Sequence, residues 1–267
     1  MIGSAMIGPA TTGSATTTRR PTIGVFDSGV GGLTVLKALL EVIPAADYLY
    51  FGDTARLPYG SKSVETVARY ATQASQFLEH CGAQLLVIAC NTATALALDK
   101  ITRACSVPVV GVIEPGAERA STASQKRKVV VIGTEATISS HAYRKALEAR
   151  GLQAKEKACP LLVPLVEEGW IEHPVTEQVA RIYLDEAFQD SFKSSDVLVL
   201  GCTHYPLLKP LLRRVAPAHL TIVDSAESTA GVVGELLRVT PVSTSTEDER
   251  RRLPHAIEDV RHVNLEE

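Results

Sequence analysis

The chain has 267 residues, with 27 Lys and Arg against 30 Asp and Glu, for a formal net charge of −3. Hydrophobic residues make up 45% and charged residues 21%, which excludes a disordered or collagen-like chain and a strongly basic nucleic-acid binder. The length allows one large or two modest domains, and with only 5% aromatic residues the core must come from Val, Leu, Ile and Ala. The five cysteines are odd in number and lack C-x-x-C spacing, which argues against a disulfide framework or a zinc ribbon. No run approaches the ~18 apolar residues of a membrane span. Reduced thiols and a cytoplasmic location are the expectation.

The opening segment, MIGSAMIGPATTGSATTTRR, carries its only charges at Arg19 and Arg20. A signal peptide has the reverse order, so residues 1–20 are expected to be a disordered tail or the product of a start codon placed too early. From Pro21 onward, short β-rich runs alternate with helical patterns. Strands are expected at Ile23–Phe26, Tyr48–Phe51, Leu85–Ala89 and Val107–Ile113, then at Val129–Ile132, Leu161–Leu165, Val197–Leu200 and Leu220–Val223. The stretches Ser63–His80 and His173–Phe188 carry apolar residues at i, i+3, i+4 and i+7, the spacing of one helix face. Uninterrupted apolar strands between helices predict an α/β fold whose parallel sheets are covered on both faces.

One internal similarity organises the rest. Leu85–Thr92 reads LLVIACNT and Val197–His204 reads VLVLGCTH. Each is a buried strand, a small residue, a cysteine and polar residues that open a helix. With crossings at Pro115–Gly116 and Asp224–Ser228, this predicts two pseudo-symmetric α/β lobes with a cleft between them. Lobe A takes residues 21–115 and 226–267, and lobe B takes residues 116–225.

Ligands bind beyond the carboxyl ends of strands in such sheets. The polar clusters Asp27–Ser28, Gly52–Asp53–Thr54, Cys90–Asn91–Thr92 and Cys202–Thr203–His204 all fall there. The glycine run after Asp27 fails the dinucleotide pattern, because Thr34 stands where the last glycine belongs, and it has no Walker ending. Cys90 and Cys202 are expected to have thiol pKa values lowered by helix starts. Cys81, Cys105 and Cys159 lack that context and read as structural. His204 is expected to act beside Cys202, and Glu167 to close another strand end. Glu168 and the Arg250–Arg252 run read as solvated. Two thiols on opposite sides of one ligand have a natural task. One thiolate removes a proton from carbon while the other thiol donates to the opposite face, which inverts a stereocentre.

The runs FDSGVGGLTV (Phe26–Val35), FGDTARLPYG (Phe51–Gly60), ACNTATA (Ala89–Ala95), PLVEEG (Pro164–Gly169) and GCTHYPLL (Gly201–Leu208) carry a resemblance. The sequence resembles the glutamate racemases of the cofactor-independent aspartate/glutamate racemase superfamily. The resemblance implies that Cys90 and Cys202 are the two catalytic cysteines, assisted by Asp27, His204 and Glu167. It implies substrate contacts at Asp27, Ser28, Tyr59, Gly60, Asn91, Thr92, Thr203 and His204, and no metal or cofactor. The implied activity is an isomerase's, converting L-glutamate to D-glutamate for peptidoglycan synthesis, cell-wall biogenesis and cell shape. Expected partners are glutamate and a second copy in a homodimer, with no nucleic acid and no membrane. Three alternatives stay open: an aspartate racemase, a thiol amidohydrolase with His204 as base, and a two-lobed amino-acid binding protein.

Overall fold

The computed structural model describes residues 20–237. Residues 1–19 of the expected tail and the segment after Leu237, with the Arg250–Arg252 run and most of the expected return to lobe A, lie outside the described residues.

The first half runs β1 (Thr22–Asp27), α1 (Leu33–Val42), β2 (Asp47–Gly52), α2 (Val64–His80), β3 (Leu85–Ile88), α3 (Asn91–Ala104), β4 (Val109–Gly111) and α4 (Ile113–Ala123). The second runs β5 (Lys128–Gly133), α5 (Glu135–Ser139), α6 (Ala142–Glu148), β6 (Gln153–Ala158), α7 (Leu162–Glu167), α8 (Pro174–Ala187), β7 (Val197–Gly201), α9 (Lys209–Val215), β8 (Thr221–Asp224) and α10 (Ser225–Leu236). Two four-stranded sheets result, ordered β2-β1-β3-β4 and β6-β5-β7-β8, and every pairing is parallel. The two orders are the same pattern repeated, so β3 and β7 are equivalent strands. That is the internal similarity seen in the sequence.

Strand alternation builds one core layer on each sheet face. Leu85 and Val87 of β3 point into the layer beneath α1, while Leu86 and Ile88 point into the layer beneath α2 and α3. In β7, Leu198 and Leu200 pack under α8 and α9, and Val197 and Val199 under α4 and α6. The helices start where their sequences say. Ser63 caps α2 by accepting from the Thr66 N–H, with Glu65 in the first turn, and Pro174 opens α8.

The passages between sheets are helical. Pro115 and Gly116, expected at the crossing, sit in the first turn of α4, whose Ile113, Ala117 and Ala120 join the core of the second sheet. Helix α10 then returns, placing Ala226, Ala230 and Val233 in the core beneath α1.

Two strand expectations need correction. Leu161–Leu165 is no strand: Leu162–Glu167 is helix α7, with Leu162 and Val166 buried one turn apart. Pro164 does not break it, because the first-turn N–H groups of a helix have no intrahelical partner to lose. The strand of this region is the upstream QAKEKA of β6, an edge strand whose lysines disguised it. The run Val107–Ile113 shortens to Val109–Gly111, because Ile113 already belongs to α4.

Gly24 tests the packing of β1. A Cβ there would lie 2.8 Å from Leu86 Cδ2 and 2.9 Å from Ala83 Cβ. Gly24→Val should destabilise the fold by about 1–3 kcal/mol through overpacking. Urea unfolding reads this as a lower midpoint, and an unchanged midpoint would contradict the packing.

Candidate active site

The carboxyl ends of β1, β3, β5 and β7 converge on one cavity of about 400 Å³. The first half supplies Ser28, Tyr59, Gly60, Cys90, Asn91 and Thr92, and the second half supplies Glu167, Cys202, Thr203 and His204. All but one of the expected site residues therefore line a common space. The exception is Asp27, which is fully buried behind the lining. Glu168 is exposed, and Cys81, Cys105 and Cys159 do not line the cavity.

Both thiols are free and buried. Cys90 is the N-cap of α3, where its Sγ accepts from the Ala93 N–H at 3.4 Å, and its own thiol lies 3.4 Å from Ser28 Oγ. These contacts favour thiolate, as expected for a helix start. Burial outweighs them, aided by the negative charge of Asp27, and pushes the Cys90 thiol up to about 11. Burial likewise pushes the Cys202 thiol well up, against the pull of the His204 and Tyr205 N–H groups. Only a short 3₁₀ turn, Tyr205–Leu208, follows Cys202. The expectation of depressed thiol pKa values is thus reversed. The physical reason is desolvation.

His204 links three parts of the site. Its Nδ1 is 3.8 Å from Cys202 Sγ, and its Nε2 hydrogen-bonds the Glu167 carboxylate. Glu167 reaches it from the last residue of α7, so the glutamate closes a helix rather than the expected strand. With Nε2 bonded to Glu167, Nδ1 is the ring nitrogen that faces the Cys202 thiol.

Asp27 holds the halves together from behind. Its Oδ2 accepts from the Gly29 N–H at 2.9 Å, and its Oδ1 accepts from Thr203 Oγ1 of the other half at 3.3 Å. Burial raises its pKa, opposed by the Gly32 N–H, by His204 and by these two bonds. At the other end of the cavity, Thr92 Oγ1 lies 2.9 Å from Thr134 Oγ1 and 3.2 Å from Thr137 Oγ1, again across the halves. Gly60 permits that approach, because a Cβ there would lie 2.8 Å from Thr134 Cβ. Tyr59 is anchored by donating to Asp53 Oδ2 at 2.5 Å, and Asn91 Oδ1 accepts from Tyr143 Oη at 2.7 Å.

Sequence reasoning missed Thr134, Glu135, Pro160 and the α7 wall of Val163 and Pro164, all of which line the cavity. Thr134 follows β5 just as Ser28 follows β1, so the strand-end rule applied to IGTEAT would have found it. The α7 wall carried no such signal once its segment was read as a strand. Among the described residues, no group of three or more His, Cys, Asp or Glu side chains is arranged to hold a metal ion.

The charge on Asp27 gives a signed test. A negative group near a thiol disfavours thiolate, so Asp27→Asn should lower the pKa of Cys90 and speed its alkylation by iodoacetamide at fixed pH. Peptide-resolved mass spectrometry follows Cys90 alone. Slower alkylation in Asp27→Asn would contradict the electrostatics described.

Comparison with known proteins bears on the whole arrangement. The model of the Asp/Glu/hydantoin racemase family matches residues 23–233. A glutamate racemase of Koribacter versatilis is 64% identical over 227 residues, which is 85% of this chain and 78% of that protein. The crystal structure of the Thermus thermophilus glutamate racemase with β-chloro-D-alanine superposes with a TM-score of 0.76 at 44% identity, over 92% of this chain and 98% of that one. The Francisella tularensis glutamate racemase in complex with D-glutamate superposes with a TM-score of 0.76 at 36% identity, over 85% and 84% of the two chains. With its repeated parallel sheets and one cavity shared between them, the chain belongs to the Asp/Glu/hydantoin racemase family of isomerases.

Proposed function

We propose that this protein interconverts L-glutamate and D-glutamate, one cysteine thiolate removing the α-proton while the other cysteine's thiol donates its own proton to the opposite face. The observation that carries the reading is the pair itself: Cys90 and Cys202 occupy equivalent strand ends and line one cavity from opposite halves. Named relatives with this fold act on glutamate or bind D-glutamate.

In the free protein both thiols hold their protons. A thiolate at Cys90 raises the pKa of Cys202, because like charges oppose each other. The pair therefore favours one thiolate and one thiol over two thiolates, and its two proton losses belong to the coupled site. Bound substrate brings an α-ammonium whose positive charge favours the first thiolate. His204 Nδ1 is placed to take the Cys202 proton, with Glu167 stabilising the imidazolium that results. Asp27 is a positioning residue, bonding Thr203 across the halves and lying within the field of Cys90. Ser28, Tyr59, Gly60, Asn91, Thr92, Thr203 and His204 are the proposed substrate contacts. Cys90 takes the proton from D-glutamate and Cys202 takes it from L-glutamate.

A thiol amidohydrolase would leave one of the two matched thiols without a task. Aspartate is one methylene shorter, a difference a pocket discriminates by only ~10–200-fold, so both amino acids belong in the assay. The reading extends to a cytoplasmic enzyme that supplies D-glutamate for peptidoglycan. Among the described residues no helix is long and apolar enough to cross a membrane. The division into lobes at residues 115 and 225 is supported by α4 joining the second core and α10 the first. A homodimer would run at twice 28.6 kDa in light scattering, and a single-chain mass would contradict it.

The test is circular dichroism of L-glutamate incubated with the purified protein, with no cofactor added. Ellipticity should decay to zero, with a bell-shaped rate against pH, because a fully protonated pair lacks a base and a fully ionised pair lacks an acid. Replacing either Cys90 or Cys202 by Ala should remove racemisation. Unchanged ellipticity with the wild-type chain, or wild-type turnover in Cys202→Ala, would overturn the reading.

A further inference from the structure

Behind the cavity wall a polar chain crosses the protein. Tyr143, on α6, is completely buried, and its phenol donates to Asn91 Oδ1 at 2.7 Å. Ser225, at the start of α10, lies beside the same phenol, close enough to act on its pKa. Three separate elements thus meet at one oxygen: α3 of the first half, α6 of the second, and the helix that returns between them. Gly116 leaves the room for it, since a Cβ there would press at 3.3 Å on both Ser225 Cβ and Tyr143 Oη.

The consequence falls on Asn91. An amide presents a carbonyl acceptor at one end and an NH₂ donor at the other, and its partners decide which end faces where. With the carbonyl occupied by Tyr143, the Asn91 NH₂ must be the other end. That nitrogen is buried and has no hydrogen-bond partner among the described residues, while Asn91 lines the cavity. An unpaired buried donor is unfavourable in the free protein and strongly favours a ligand that brings an acceptor. Burial pushes the Tyr143 pKa well above its usual value, so the phenol keeps the proton it donates.

We propose that Tyr143 is a positioning residue for the reaction: it locks the Asn91 amide with its NH₂ turned to a substrate carboxylate oxygen, and Ser225 holds Tyr143 in that role. The proposal rests on the glutamate reading above. It assigns a function to a tyrosine that touches no substrate and is one of the bonds joining the two halves.

Tyr143→Phe keeps the ring and removes only the donor. Without it the amide is free to turn its carbonyl toward the carboxylate. Calorimetric titration with D-glutamate should show Kd raised about tenfold, the scale of one lost buried hydrogen bond, with KM raised alike and kcat changed by less than about threefold. A residue that merely supports the fold would lower kcat through loss of folded protein and leave the Kd of the folded fraction unchanged. The double variant sharpens the distinction. In an Asn91→Ala background, Tyr143→Phe should have no further effect on Kd, because Tyr143 acts through that amide alone. Unchanged Kd in Tyr143→Phe, or additive losses in the double variant, would overturn the proposal. If Tyr143→Phe does not fold, Ser225→Ala decides: a Kd raised about two- to threefold supports it, and an unchanged Kd overturns it. Wild-type protein measured in parallel separates the two claims. Wild-type binding and racemisation with unchanged variants overturns the Tyr143 assignment alone, whereas a wild-type chain that neither binds nor racemises glutamate overturns the function with it.

Discussion

The burial of two thiols is the constraint on which the rest of the site depends. Taken out of water, Cys90 and Cys202 hold their protons more tightly than free cysteine does, despite the N–H groups aimed at each. Both thiols are therefore poised neutral, and ionisation waits for a substrate's α-ammonium group or for His204. A buried, neutral thiol is also a poor target for alkylation and oxidation, both of which need thiolate. In this arrangement the same desolvation that keeps the pair unreactive at rest gives the thiolate high basicity once it forms.

The fold makes this pair available by repetition. One parallel four-stranded pattern occurs twice, and the strand at the same place in each carries a cysteine at its carboxyl end. Facing these ends toward each other gives a ligand two unlike faces, each with its own thiol. Polar bonds close to the cavity help join the halves: Thr203 to Asp27, Thr92 to Thr134 and Tyr143 to Asn91. Each of these bonds involves a residue of the lining. A relative movement of the halves would therefore alter the site and the contacts between halves together.

Much of this was legible in the sequence, for reasons that can be named. The strands β1, β3, β5 and β7 are buried on both faces and read as unbroken apolar runs, so their ends located Ser28, Cys90 and Cys202 directly. The matched LLVIACNT and VLVLGCTH segments gave away the duplication. What stayed hidden had a weaker or opposite local signal. The edge strand β6 is half-buried and lysine-bearing, so it looked like surface, while the short amphipathic α7 looked like the missing strand. The elevated thiol pKa values were illegible because helix starts are local features and burial is a property of the assembled fold. Tyr143 was invisible for the same reason, as its partners lie 52 positions away at Asn91 and on the returning helix.

The central claim is that two different groups serve the two faces of the α-carbon, and the fate of the α-hydrogen tests it most directly. L-Glutamate is turned over briefly in deuterium oxide, and both enantiomers are then separated and examined by mass spectrometry. Two thiols, each exchanging its own proton with solvent, predict deuterium at the α-carbon of the D-glutamate formed and protium in the L-glutamate that remains. Deuterium in the unreacted L-glutamate, or product that retains the original α-proton, would mean that a single base serves both faces and would contradict the account.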